Sequence, residues 1–560
     1  MAYIYTPENP LTAAFCMGLK KKVAEGCFPI LLILMGIFFG GCGSGETELP
    51  TPSPTKVVSI SQLPEVTIPP PSGNLRVAVV GTTFHRDLHQ VVSEWSTLFG
   101  PGLAYSRLFR FKHGPAVQFP SMEVECDLCE SWRIVDADSL LYEFRLRSDA
   151  KWQGTQEFPQ RMVTAEDVEL SLNRLRTMGW SHAGSFASID TVEASDDRIV
   201  MVKLNYPDPE LLQKLANPHA VIMASESIEV LPAGDFPVVG SGPWNWYQIG
   251  SGETQFTAFD GYYVSGFPRV SKLTFVPVPD LMSGSVALGV GSVDIAQMDE
   301  EVWPQLEAKG LQSKLIPRQG LGQVLVINHK REKLSQVDVR RKLFASIDPF
   351  TACAEMWNGL CNVGVGVPVF EPDWLLSREE LGRHFYQEGK ARKDTAEAQS
   401  ITLTVANYGP DYVAYGRYIG EQLSTGGFEV TVEIVSRSEY LAKVWQQKEF
   451  DVSLGPLPPV NTTNDFLVPL LHSKGQWHIT GHTDEELDRL IELQSTEVNI
   501  EKRGQLVKEI QLRVLDQALL FMPVITIERW AFNDRVNDWH PNMQSGDGSF
   551  WQSVSLAPSP

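Results

Sequence analysis

The stretch "FRLRSDAKWQGTQEFPQRMVTAEDVELSLNRL" (144–175) joins a strand pattern to the pattern of an amphipathic helix. Thr164 and Asp167 have the spacing of a capping box, and Glu166 and Asp167 suit the positive end of a helix dipole. The apolar positions of the helix recur at helical spacing: Val168, Leu172 and Leu175. The two acids are therefore either a catalytic pair or the start of a capped helix.

The composition is that of a globular protein large enough for two or three lobes. The chain has 560 residues, of which 43% are hydrophobic and 21% charged, and its formal net charge is −21. This acidity argues against a nucleic-acid partner, which requires a basic face. A solvated acidic surface explains the charge, and a cationic ligand is the alternative.

The N-terminus has the parts of a secretion signal. Three lysines (20–22) precede the apolar run "FPILLILMGIFF" (28–39), which is too short to span a membrane. "FGGC" (39–42) resembles a bacterial lipobox, so Cys42 is predicted to carry the lipid, and translation is predicted to start at Met17. We expect an exported protein, anchored to the cell membrane by lipid only, that faces the periplasm or the cell exterior.

The other cysteines and the histidines give weaker signals. Cys126 and Cys129 form a CxxC motif, and Cys353 and Cys361 lie eight residues apart. Both pairs fit disulfides of an oxidising compartment, and the CxxC motif also fits a redox site or half of a metal site. His85 and His89 are predicted to be a surface pair rather than metal ligands. No metal or cofactor is expected.

Strand and helix patterns alternate along the rest of the chain. Strands are predicted at 74–81, 139–147, 401–409 and 518–533, two more within 188–206, and a hairpin within 238–263. Helices are predicted at 337–348 and 412–427, with two more within 483–517. This order predicts a mixed α/β protein with a largely parallel sheet in its second half.

Four segments, in order, resemble the extracellular solute-binding proteins of family 5, the peptide- and nickel-binding group that serves ABC importers. They are the opening stretch, "VVGSGPWNWYQIGSGETQFTAFDGYY" (238–263), "LVINHKREKLSQVDVRRKLFASIDPF" (325–350) and "FDVSLGPLPPVNTTNDFLVPLLHS" (450–473). The resemblance implies a two-lobed clamshell of the type II periplasmic-binding-protein class, with mixed sheets and three structural domains. Two strands would cross between the lobes as a hinge.

The resemblance also implies domain boundaries. The predicted ranges are a signal peptide (1–41), a tether rich in Pro, Ser and Thr (42–73), lobe I (74–106, 205–315 and 525–560), an inserted β-rich domain (107–204) and lobe II (316–524). Glu166 and Asp167 then lie in the inserted domain, away from the cleft. This position favours capping over catalysis.

The resemblance implies a cleft in which main-chain groups of both lobes pair with an extended peptide. The implied ligand-binding residues are Thr97, Phe99, Gly100, Tyr408, Tyr412, Trp445, Gly455, Leu457, Pro458 and Asp465. The chain departs from the family pattern where prolines remove N–H donors after Gly455. It has no acid at Pro459 or Val460 to hold a peptide ammonium group, and Asp465 is the nearest one.

These features predict a monomeric binding protein, not an enzyme, that passes peptides or peptide-like solutes to ABC permease subunits. No nucleophile elbow, zinc-protease motif or phosphate loop is present in the sequence. An oligosaccharide or another small solute is the alternative ligand, because aromatic side chains can stack on sugar rings. A sensory protein that hands its ligand to a receptor and a CxxC thiol oxidoreductase are the alternatives from other functional classes.

Overall fold

The computed structural model of the chain describes residues 3–5 and 69–558, apart from short gaps. The gaps are 82–83, 118–120, 137–139, 156–157, 159, 231–237, 249–251, 387–398, 458–459, 461 and 544–545. The predicted signal peptide, Cys42 and most of the tether lie outside the described residues. Within the described part of the chain, no helix is both long enough and apolar enough to cross a bilayer.

The opening stretch folds as predicted, with a strand followed by a capped helix (Ala165–Leu175). Thr164 and Asp167 form the capping box. Asp167 also binds Arg161 at 2.7 Å and accepts a hydrogen bond from Trp152 Nε1 at 3.1 Å. Burial raises the pKa of Asp167, but the hydrogen bonds from Arg161 and Thr164 outweigh it and hold that pKa below its usual value. The capping interpretation is confirmed for Asp167.

The strands and helices are numbered in chain order. The strands are β1 Tyr3–Tyr5, β2 Asn74–Val80, β3 Phe109–Phe111, β4 Val124–Cys126, β5 Cys129–Ile134, β6 Leu141–Leu146, β7 Ile189–Asp196, β8 Ile199–Leu204, β9 Trp244–Gln248, β10 Thr254–Ala258, β11 Lys272–Val278, β12 Ile295–Gln297, β13 Gln312–Ile327, β14 Cys361–Gly364, β15 Gln399–Ala406, β16 Phe428–Val435, β17 Val452–Gly455, β18 Leu520–Phe532, β19 Val536–Asn537 and β20 Ser555–Leu556. The α-helices are α1 Glu94–Leu98, α2 Ala165–Leu175, α3 Leu211–Leu215, α4 Ser225–Val230, α5 Leu281–Gly289, α6 Trp303–Glu307, α7 Val337–Phe344, α8 Pro349–Met356, α9 Arg378–Gly382, α10 Pro410–Thr425, α11 Arg437–Tyr440, α12 Thr463–Leu471, α13 Glu485–Thr496 and α14 Ile500–Asp516.

One large sheet runs through the molecule in the order β16-β15-β17-β13-β18-β12-β2-β11-β10-β9. The long strands β13 and β18 pair antiparallel along most of their length. On one side of them, β2 lies parallel to β11 and β12. On the other side, β15 lies parallel to β16 and β17. The parallel arrangement predicted for the second half of the chain is confirmed for β15, β16 and β17, whereas β13, β14, β17 and β18 meet in antiparallel pairs. The two long strands β13 and β18 join the two strand groups.

A smaller antiparallel sheet contains β5, β6, β8 and β7 in this order. Its strands bury apolar side chains such as Phe144, Val200 and Val202, and α2 packs against it through Val168 and Leu172. These elements fall within the predicted inserted domain (107–204).

Both predicted cysteine pairs are disulfide-bonded: Cys126 to Cys129, and Cys353 to Cys361. Cys129 is fully buried and Cys126 is half-buried. The first disulfide joins the ends of β4 and β5, and the second joins α8 to β14. The structural interpretation of these cysteines is therefore favoured over a redox site.

Candidate functional site

The carboxyl ends of the two parallel strand groups face each other across the crossing strands. In the first group, Gln297 at the end of β12 pairs with Trp530 of β18, level with Lys314 of β13. In the second group, Gly455 at the end of β17 pairs with Val324 of β13. Because β2, β11 and β12 run in the same direction as β13, whereas β15, β16 and β17 run against it, both sets of carboxyl ends point toward the middle of β13.

The middle of β13 is irregular. Its pairing with β18 shifts register between Pro317 and Gly322 and again between Gln323 and Leu325. Ligands of open α/β sheets bind outside the carboxyl ends of parallel strands. The space between the two edges, called the cleft below, is therefore a candidate binding site with β13 and β18 as its floor.

The first wall of the cleft is built around Arg318. Its guanidinium donates to Glu528 Oε1 at 3.0 Å and forms an ion pair with Glu94 of α1, while the side chain is only 4% exposed. A cavity of about 170 Å³ beside this triad is also lined by Trp95 and Trp530. Burial raises the pKa of Glu94, and Arg318 opposes that rise. The wall thus holds two carboxylates against one buried cation.

The predicted ligand-binding residues of this wall lie at the end of α1. Phe99 packs its ring against Phe275, with 5.3 Å between the ring centres, and also lines the small cavity. Thr97 is buried, and its hydroxyl donates to Glu94 O at 3.1 Å. A side chain at Gly100 would come within 2.5 Å of Phe84. The Thr97 and Phe99 side chains therefore stabilise the first wall through contacts within it.

The second wall is lined by tyrosines that follow the carboxyl ends of β15 and β16. The rings of Tyr408 and Tyr412 lie 5.7 Å apart, and the Tyr412 hydroxyl donates to Gly322 O of β13 at 3.3 Å. Burial raises the pKa of Tyr412 to about 12. Tyr440 lies against Gly455, where an added Cβ would come 2.4 Å from the phenol ring. The structure thus brings Tyr408, Tyr412 and Gly455 to one side of the cleft.

The remaining predicted residues are more dispersed. Leu457 and Trp445 are half-buried and pack against the larger apolar core, Trp445 within the π-helical turn Leu441–Gln446. Pro458 lies outside the described residues. Asp465, in the first turn of α12, lines a different cavity.

That cavity has a volume of about 1310 Å³ and is called the side cavity. It is bordered by Val92, by 178–185, by Tyr206, Asp208 and Lys214, and by parts of 464–496. Val92 lies two residues before α1, and α12 follows the chain beyond Gly455.

The structure places histidines together that are far apart in the sequence. His182 stacks on His219 with 4.6 Å between ring centres, and His219 accepts a hydrogen bond from Ser93 N. His89 lies beside them and is fully buried, so the predicted surface pair with His85 was wrong for His89. The reason is that the loop after β2 folds inward, where His89 bonds Val221 O at 2.9 Å.

A second histidine group lies in the other half of the molecule. The rings of His478 and His482 are 4.5 Å apart, and His329 lies 5.9 Å from His482. Sequence spacing could not reveal either complete group, because His89, His182 and His219 lie in three separate loops and His329 is far along the chain from His478 and His482. Among the described residues, no set of three His, Cys, Asp or Glu side chains is placed to hold a metal ion.

Known proteins share both the sequence and the architecture. The model of the bacterial extracellular solute-binding proteins, family 5, matches residues 123–478. A probable di/tripeptide-binding protein 5 of Pseudomonas aeruginosa is 22% identical over 463 residues, covering 77% of this chain and 86% of that protein. The probable D,D-dipeptide-binding periplasmic protein DdpA of Escherichia coli is 25% identical over 397 residues, covering 68% and 72%.

Solved structures confirm the fold class. A putative peptide-binding protein AppA of Clostridium difficile superposes with a TM-score of 0.73 at 16% identity, covering 87% of this chain and all of that one. These proteins bind solutes rather than catalyse reactions, and their fold is the type II periplasmic-binding-protein fold. The chain belongs to the bacterial extracellular solute-binding proteins of family 5.

Proposed function

We propose that this protein captures peptides or peptide-like solutes in the cleft and delivers them to the permease subunits of an ABC importer. The observation that carries the proposal is the opposition of the two carboxyl edges across β13 and β18. An extended peptide between them can satisfy its own N–H and C=O groups on main-chain groups of both walls. The peptide-binding names of the relatives support the same ligand class.

The proposed contacts divide between the walls. On the first wall, main-chain groups of Thr97, Phe99 and Gly100 contact the peptide. The side chains of Thr97 and Phe99 do not, because they are already buried. Tyr408 and Tyr412 offer their rings from the second wall, and Gly455 and Leu457 offer main-chain groups. Contacts of Trp445 and Pro458 with the ligand stay predictions.

The proposed hinge is the irregular middle of β13 with the facing part of β18. Lobe I would comprise 74–106, 205–315 and 525–560, lobe II would comprise 316–524, and 107–204 would be the inserted domain. Two crossing strands with a break in register can bend without loss of the pairing at either end. Closure of the lobes would then enclose the ligand.

The ligand class is tested by native mass spectrometry of the purified protein, followed by calorimetric titration with peptides of two to ten residues and with oligosaccharides. We expect a co-purified peptide and saturable peptide binding. Tyr408→Ala should weaken binding, whereas Tyr247→Ala, on the exposed face of β9, should not. Binding of oligosaccharides only, or of no peptide, would overturn the proposal.

We also propose that the protein is exported, acts as a monomer and is held to the membrane by a lipid on Cys42. Cys42→Ser should move the protein from the membrane fraction to the soluble fraction. Cys27→Ser, within the predicted signal peptide, should leave the protein in the membrane fraction. An unchanged distribution of the Cys42 variant would contradict the lipid anchor. Loss of peptide uptake in cells that lack the partner permease would support transport rather than a sensory role.

A further inference from the structure

A concavity of about 440 Å³ lies beside the second disulfide and is called the disulfide pocket. Its apolar side chains come from four elements, namely Phe350 of α8, Val363 of β14, Leu381 of α9 and Ile525 of β18. It shares no described lining residue with the cavity beside Arg318 or with the side cavity. Small-molecule sites have volumes of about 300–1,000 Å³ and are mostly apolar, with a few polar groups. The disulfide pocket is therefore large enough to hold a ligand of its own.

The disulfide holds two walls of this pocket together. Cys353 belongs to α8 and Cys361 begins β14, so the bond links a helix to a strand. Both cysteines are buried and border the pocket, and Cys361 also pairs with Thr526 of β18. A site whose walls are already fixed loses less conformational freedom when a ligand enters. The pocket is thus formed before any ligand binds.

The charge of the lining indicates which chemistry fits it. Among the lining residues that the structure describes, only Arg378 carries a charge, and its side chain is exposed at the mouth of the pocket. Within the described part of the chain, the Arg378 guanidinium has no carboxylate partner and lies over the Phe350 ring, 4.7 Å from the ring centre. A guanidinium binds a carboxylate through two parallel hydrogen bonds. The lining therefore fits an apolar molecule with one acidic group.

The pocket also touches both strands of the proposed hinge. Pro317 of β13 and Ile525 of β18 border it. The register of these strands shifts between Pro317 and Gly322, and Gly322 lies opposite Ile525. Ile525 pairs on its other side with Asn362 of β14. A bend at the break would move Pro317 relative to Ile525, so the shape of the pocket depends on the hinge.

The pocket has this shape in an arrangement in which the two proposed lobes touch. Glu210, in proposed lobe I, forms an ion pair with Arg503 of α14, in proposed lobe II, and the two side chains are 0% and 3% exposed. Glu210 also accepts a hydrogen bond from Asn464 N of lobe II at 3.1 Å. A ligand that fits the pocket in this arrangement stabilises it over any other.

We propose that the disulfide pocket binds a small apolar monocarboxylic acid, with its carboxylate on Arg378 and its apolar part against Phe350 and Ile525, and that the bound acid strengthens peptide binding by stabilising the hinge. The effect on peptides rests on the proposed function, whereas the acid site is tested without a peptide. Coupling between two sites is reciprocal, so a peptide strengthens acid binding by the same factor.

The probe is decanoate, compared with decan-1-ol and decylammonium, which have the same chain length with no charge and with the opposite charge. Each is titrated calorimetrically, below its micelle-forming concentration, into the wild-type protein and three variants. Arg378→Gln removes the proposed cation, and Ala354→Phe fills the pocket from an exposed position of α8. Arg383→Gln is the control, because it removes an equal charge at the end of α9 from a side chain that is 66% exposed and does not border the pocket.

We expect wild type to bind decanoate more tightly than decan-1-ol or decylammonium. Arg378→Gln should weaken decanoate at least fivefold and change decan-1-ol less than twofold, whereas Arg383→Gln should change both less than twofold. Ala354→Phe should abolish binding of both, with a thermal midpoint equal to that of wild type. Absence of decanoate binding, equal binding of decanoate and decylammonium, equal effects of the two arginine variants, or full binding to Ala354→Phe would overturn the acid site.

Hydrogen exchange measures the effect on the hinge without a peptide. Saturating decanoate should slow amide exchange at 318–325 in wild type, and the same concentration should slow it less in Arg378→Gln. Titration of Phe-Ala-Ala with and without decanoate then measures the coupling, which we expect to raise peptide affinity at least threefold. Unchanged exchange, or a peptide affinity that is unchanged or lower, would overturn the coupling to the hinge.

The two proposals fail in different ways. If decanoate binds through Arg378 and slows exchange at the hinge but no peptide binds, the peptide function fails and the acid site stands. If peptides bind and decanoate does not, the peptide function stands and the acid site fails. Absence of both kinds of binding overturns both.

Discussion

The two walls of the cleft are built from different chemistry. The first wall holds the buried Arg318 between Glu528, which is 15% exposed, and Glu94, which is 41% exposed, so movement of the wall would separate a buried cation from its partners. The second wall presents the rings of Tyr408 and Tyr412, joined to β13 by one hydrogen bond. A buried guanidinium held by two carboxylates restrains the geometry of its wall, whereas phenol rings can turn to meet different side chains. We infer that the first wall sets the position of the hinge and that the second wall adapts to the ligand.

The largest expected effect on the difference between the walls comes from the removal of the Arg318 side chain. Arg318→Met leaves Glu94 and Glu528 facing each other without their cation, which should lower the free energy of unfolding by about 3–5 kcal/mol. Urea unfolding followed by circular dichroism measures the change. Arg269→Met is the control, because the Arg269–Asp538 pair is about half exposed and should contribute less than ~1 kcal/mol. Equal effects of the two variants would show that the triad does not fix the first wall.

Gly455 tests how tightly the second wall is packed at the end of β17. Gly455→Ala places a Cβ 2.4–2.7 Å from the Tyr440 ring, so the ring must shift. Overpacking of this kind costs about 1–3 kcal/mol of unfolding free energy. Gly382→Ala is the control, since nothing lies within 4 Å of the added Cβ.

The same substitution should cost less in a protein that also carries Tyr440→Leu, because the smaller side chain leaves room for the added methyl group. A double-mutant cycle by urea unfolding measures this coupling. Additive effects of the two substitutions would contradict the contact. In that case the end of β17 would belong to the adaptable part of the second wall.

Behind the two different walls lie two similar histidine groups, and both should respond to acid. Burial lowers the pKa of His89 to about 4 and that of His482 to about 4. A histidine with a lowered pKa in the folded state stabilises the fold above pH ~6.5, and that stability is lost as the pH falls toward 4. Between pH 7 and pH 5, each should account for a fall of about 1–2 kcal/mol in unfolding free energy.

Replacement by glutamine should flatten this pH dependence. We expect His89→Gln and His482→Gln each to reduce the slope of unfolding free energy against pH between 7 and 5, and His85→Gln, at an exposed position, to leave it unchanged. Charged groups near the first cluster are Asp87 and Arg174, and those near the second include Lys448, Asp484 and Asp488. If only one of the two buried substitutions changes this slope, the two histidine groups contribute differently to the pH dependence of stability.

Local patterns in the sequence were sufficient for the strands, the helices and the α/β class. The capping box at Thr164 and the β15–α10–β16 alternation depend on residues close together in the chain, so spacing alone predicts them. Contacts between distant residues could not be read this way. Arg318 lies 224 residues from Glu94, the first histidine group combines three separate loops, and the second combines His329 with a distant loop that carries His478 and His482.

The candidate site shows the same limit. The resemblance placed Tyr408, Tyr412 and Gly455 on one wall, and their proximity to β13 follows from the strand order. The charged neighbours of Asp465 are Lys214 and Glu210, which approach it only when α3 and the residue before it pack near α12. No spacing within α12 contains that information. The side cavity therefore required the structure.

The smallest expected effect compares the two tyrosines of the second wall. Tyr412→Phe removes the hydrogen bond to Gly322 O, which should cost about 0.5–1.5 kcal/mol of unfolding free energy because the carbonyl belongs to the irregular part of β13. Tyr408→Phe keeps the ring that Arg437 covers at 4.6 Å and should change stability by less than ~0.5 kcal/mol. Urea unfolding measures both, and hydrogen exchange at 322–325 measures the local effect. Faster exchange in the Tyr412 variant alone would show that this hydroxyl couples the adaptable wall to the hinge, whereas identical exchange in the two variants would show that the second wall moves independently of β13.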